Sequence, residues 1–149
     1  MLNISELTGF REQGPKLSRE EVRSFFAGRR LPVSDFLLDF YCSINGGYPE
    51  KCLFRGVNRE FWVDGFLPLE MEEERLSAEQ AYSFLIVERK AAHAKMWPVA
   101  NDMGAQFYCI DMSNDALPVF LVETIHAKGV KIIDVAQSLE KFIMNLDEE

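Results

Sequence analysis

The chain has 149 residues, 48% hydrophobic and 27% charged, a size and mixture that fit one globular domain with a real core. Twelve Phe, two Trp and four Tyr are available to fill it. A formal net charge of −8 argues against a basic nucleic-acid-binding face and favours basic partners.

Residues 1–16 read as a short N-terminal arm, broken by Gly9 and by Gly14-Pro15, ahead of a domain over 17–149. Glu6, Arg11 and Glu12 place charges where a signal peptide needs an apolar stretch, and no segment approaches the roughly 20 apolar residues of a membrane span. The expected location is the cytoplasm. Cys42, Cys52 and Cys109 are odd in number and widely spaced. They make neither a zinc pattern nor a disulfide framework, and read as free thiols.

Ser18 and Glu21 form a capping-box pattern, and Leu17 with Val22 has the spacing of a hydrophobic staple. A helix is predicted over 19–27, closed by Gly28. A second helix follows, with Val33, Phe36, Leu37, Phe40, Tyr41 and Ile44 on one face, Pro32 in its first turn and Asn45-Gly46-Gly47 as its stop. The two helices are expected on the same side of a sheet.

The texture then changes to short apolar runs at 52–54, 60–63 and 66–69, and Asp64-Gly65 between the last two is a hairpin signal. Glu70 to Arg75 reads as an acidic surface loop. Ser77 and Gln80 repeat the capping-box pattern and open a helix to about Ala92, although Phe84-Leu85-Ile86-Val87 suits a strand as well by periodicity. Strands are predicted over 97–100, 106–110 and 119–122, separated by turns at 101–104 and 113–115. Asp134 and Gln137 are candidate caps for a last helix whose apolar face is Val135, Leu139, Phe142, Ile143 and Leu146. This order is α+β: an antiparallel sheet flanked by N-terminal helices and a C-terminal helix.

Taken together, Leu31-Pro32, Phe36-Leu37, Asn45-Gly46-Gly47 and Pro49, then Phe66-Leu67-Pro68-Leu69, Trp97 to Gly104, Cys109 to Met112 and Val135 to Ile143, resemble the SMI1/KNR4 (SUKH) superfamily, from about Ser18 to Leu146. The resemblance implies an α+β domain with no catalysis and no obligatory cofactor or metal. Many bacterial members are cytoplasmic immunity proteins that bind and neutralise a toxin. The fungal member is a regulatory scaffold in cell-wall (glucan) synthesis. Two segments depart from the family's pattern. Asp102-Met103-Gly104-Ala105-Gln106 lacks a glycine and the asparagine of the usual loop, and Leu121 to His126 lacks the tryptophan and His-Glu pair.

Candidate partner-binding residues are Asn45, Gly46 and Gly47, Trp97 with Trp62, Asp102, Asp111, and the acidic residues Glu72, Glu73 and Glu74 with the acidic tail at 147–149. Each also has a plain structural reading: a helix stop, core tryptophans, turn aspartates, a solvated acidic face. Asp102, Asp111, Glu123 and His126 hold the minimum ingredients of a metal-dependent enzyme, but their spacing matches no ligand motif. The expected partner is a protein, a basic toxin domain, with no nucleic acid and no membrane insertion.

Overall fold

Serine opens every α-helix of the described chain. The computed structural model describes residues 9–70, 75–104, 106–126 and 129–148, and of Ile125 and His126 the backbone alone. Helix α1 (Arg19–Ala27) carries the full capping box: Ser18 Oγ accepts from the Glu21 N–H, and the Glu21 carboxylate accepts from the Ser18 N–H. Helix α2 (Asp35–Ser43) is capped by Ser34, α3 (Ala78–Tyr82) by a second box at Ser77 and Gln80, and α4 (Leu139–Met144) by Ser138.

Pro32 therefore stands two residues before the cap of α2, and not in its first turn. Asp134 and Gln137 do not cap α4. Asp134 and Val135 lie instead in β9 (Gly129–Ala136), a strand missing from the sequence reading. The ambiguous Phe84–Val87 run is helical: α3 runs into a π-helical segment over Ser83–Glu88, which buries Leu85 and Ile86 and exposes Phe84 and Val87.

The remaining strands are β1 (Phe10–Arg11), β2 (Tyr48–Pro49), β3 (Leu53–Arg55), β4 (Glu60–Trp62), β5 (Gly65–Phe66), β6 (Met96–Asn101), β7 (Phe107–Asp111), β8 (Val119–His126) and β10 (Leu146–Asp147). They form three antiparallel sheets: β1-β2, β10-β3-β4 and β5-β6-β7-β8-β9. Asp64-Gly65 makes no hairpin, because β4 pairs with β3 while β5 pairs with β6. The chain crosses between sheets there, and the tight turn lies earlier, at Gly56 to Arg59. Of the next apolar run only Phe66 is strand, forming β5 with the preceding Gly65. Thus the α+β class with flanking helices stands, with its strands divided among three sheets.

Trp97 on β6 is the meeting point of α1, α2 and α3. Its ring lies 5.8 Å from Phe25 and 5.0 Å from Phe26 of α1, and 5.0 Å from Tyr82 of α3. Its indole N–H donates to the Tyr41 hydroxyl of α2 at 2.8 Å. A second aromatic group forms around Phe142 of α4, with Tyr108 at 5.4 Å, Phe54 at 5.3 Å and Phe66 at 6.2 Å. These contacts join the helices, the small sheet and the large sheet through one hydrophobic core.

Candidate partner-binding surfaces

The Asn45-Gly46-Gly47 segment turns out to be a structural junction. Helix α2 ends at Ser43 with Ile44 as its cap, in extended backbone, so the left-handed residues come later. Gly46 (φ +79°) lies against the backbone of Pro68, where an added Cβ would sit 2.6 Å from the Pro68 nitrogen. Gly47 exchanges backbone hydrogen bonds with Phe66. The Asn45 side chain accepts from the Leu69 N–H at 2.9 Å and donates to the Pro15 carbonyl at 2.8 Å. All three residues are buried, which corrects their assignment as a contact surface. Trp97 is corrected for the same reason, since none of its surface is exposed. Trp62 is half-buried, its carbonyl accepting from the Tyr108 hydroxyl.

The two aspartates make turns. Asp102 Oδ1 accepts from the N–H groups of Gly104 and Gln106, both at 2.8 Å, and so closes the β6–β7 connection. Asp111 Oδ1 accepts from the Ser113 N–H and hydroxyl and lies 3.6 Å from His93 Nε2. Burial alone would raise the Asp111 pKa. Those hydrogen bonds and the His93 charge outweigh it and hold the carboxyl below its usual range.

Asp102 and Asp111 lie toward opposite ends of β7, a five-residue strand, and are not brought together. His126 pairs with Gly129 through its backbone, and its side chain lies outside the described residues. No group of three or more His, Cys, Asp or Glu able to hold a metal forms among the described residues. Glu72, Glu73 and Glu74 also lie outside them. The three cysteines are free thiols, and burial pushes both Cys42 and Cys109 up, away from the reactive thiolate.

Concavities of the described surface include three that bear on binding. One of about 250 Å³ sits under Pro15 and Leu17 beside Phe25, and one of about 240 Å³ lies between Gln13 and Cys42, with Asn45 bordering both. The largest of these three, about 530 Å³, separates the β3–β4 turn from β8 and β9 and is lined by Phe61, Pro118, Phe120, Ile133 and Val135. Sequence reading missed this groove because its walls come from segments about 60 residues apart and β9 was not recognised.

The model of the SMI1 / KNR4 family (SUKH-1) matches residues 17–145. That match spans most of the chain and coincides with the described α+β domain from α1 to α4. The chain belongs to the SMI1/KNR4 family. Neither the curated proteins nor the solved structures gave a match. SUKH domains are in general non-enzymatic and typically bind protein partners. No described helix of this member is long and apolar enough to cross a membrane.

Proposed function

We propose that this SMI1/KNR4 domain is an immunity protein, a non-enzymatic binder that sequesters one cognate toxin in the cytoplasm. The family match over 17–145 carries the reading. The net charge of −8 supports it, because an acidic surface accelerates encounter with a basic toxin domain. Of the candidate contacts, Asp102 and the acidic residues Glu72, Glu73 and Glu74 go forward with this proposal. Asp102 sits on a half-exposed turn beside Met103, which is 76% exposed. Asp111 goes forward as a weaker contact, its carboxylate already engaged by Ser113 and His93.

Co-expression with the toxin-domain product of a neighbouring reading frame tests the reading. The expected result is restored growth and a complex that survives purification. If no such product lies nearby and no toxin fragment co-purifies, the proposal fails. Recovery of envelope-synthesis proteins in its place would identify the domain as a regulatory scaffold.

A further inference from the structure

The patch around the groove between the β3–β4 turn and β8–β9 carries both a projection and a concavity, and both signs of charge. The projection is Val57 at the tip of the β3–β4 turn, 99% exposed. The concavity is apolar, with Phe120 and Ile133 half-buried on its floor. Arg59 stands on one wall over the Phe61 ring, its guanidinium carbon 4.7 Å from the ring centre, and Asp134 stands on the other. Both are exposed, and neither forms a salt bridge among the described residues.

A two-fold interface requires a patch complementary to itself, so that each residue i meeting j is matched by j meeting i. This patch holds the ingredients of such a match: Val57 beside an apolar concavity, and Arg59 opposite Asp134. A partner carrying one sign of charge would satisfy one wall and oppose the other, whereas a second copy supplies both charges and the apolar projection. We propose that two copies of this chain associate across this groove. Val57 of each enters the other's groove, and Arg59 of each meets Asp134 of the other. The dimer is proposed to be concentration-dependent, forming and dissociating over an accessible range of protein concentration. This inference goes beyond the immunity reading and does not depend on it.

Sedimentation velocity of the full chain over a concentration series tests it. The expected result is a monomer–dimer equilibrium that Arg59→Asp or Asp134→Arg alone weakens by about tenfold or more through like-charge repulsion at two symmetric sites. The double variant Arg59→Asp/Asp134→Arg should recover most of the lost association, and Val57→Asp should leave a monomer. All these positions are exposed, so far-UV circular dichroism should stay unchanged in each variant. A chain that remains monomeric at every concentration overturns the proposal. So does a dimer indifferent to the single reversals, or one that the double reversal fails to restore.

Discussion

Asn45 shows how much one buried side chain can organise. Its amide oxygen serves the Leu69 N–H, its amide nitrogen serves the Pro15 carbonyl, and its own carbonyl accepts from the Gly14 N–H. One residue therefore fastens the arm and the segment after β5 to the end of α2. Asn45→Ala would take from the buried Leu69 N–H its side-chain acceptor, at about 1–3 kcal/mol. The expected outcome is a lower urea midpoint with an unchanged slope. An unchanged midpoint would show that the loop closes without this side chain. Asp111 makes a different, pH-dependent contribution. Its pKa is held below that of the unfolded chain, about 3.9, so the stabilisation is present above that value and is lost as pH falls through the folded one. Urea midpoints of Asp111→Asn and the parent protein should therefore differ at pH 7 and converge as the pH drops below about 4. A gap independent of pH would refute the assignment.

The helix caps give a graded series at the next scale. All four are serines whose hydroxyl accepts from the backbone N–H three residues on, but their surroundings differ: Ser18 is exposed, Ser34 and Ser138 are half-buried, and Ser77 is fully buried. Cap removal costs about 0.5–2 kcal/mol, and the bared N–H recovers part of that from water where water can reach it. The loss in unfolding free energy should thus be largest for Ser77→Ala and smallest for Ser18→Ala. A reversed order would mean that solvent access does not set the cost. The same elements show what was legible in the sequence. Both boxes, Ser18/Glu21 and Ser77/Gln80, are local patterns and were readable, as was α1 from end to end. Ser138 was missed because Lys141 occupies the position where a box would place Glu or Gln, and the displaced cap hid β9. Asp64-Gly65 and Gly46 were misread for another reason. The first depends on which sheet each flanking strand joins, and the second on the backbone of Pro68, 22 residues away. The candidate site was least legible of all. Asn45, Gly46, Gly47 and Trp97 have the residue types of a contact surface, and only the three-dimensional packing shows that they are enclosed.

For the molecule as a whole, the large sheet supplies an internal reporter of cooperativity. Cys109 lies on β7, the middle strand of five, flanked by β6 and β8, and has no exposed surface. Burial pushes its thiol up, so both access and thiolate formation require the sheet to come apart. The edge of the same sheet is different: β9 pairs with β8 alone and is exposed through most of its length. Segments with few buried contacts open at a small fraction of the global free energy, whereas a central strand opens with the whole domain. Cys42 and Cys52 are half-buried and should react with an alkylating reagent from the native state. Cys109 should react at the rate set by the unfolded population, tracking circular dichroism across a denaturant series. Mass-resolved pulse labelling of the three thiols separates these outcomes. Should Cys109 react well ahead of global unfolding, the large sheet opens piecewise, and the aromatic contacts of Trp97 and Tyr108 do not bind helices and sheet into one cooperative unit.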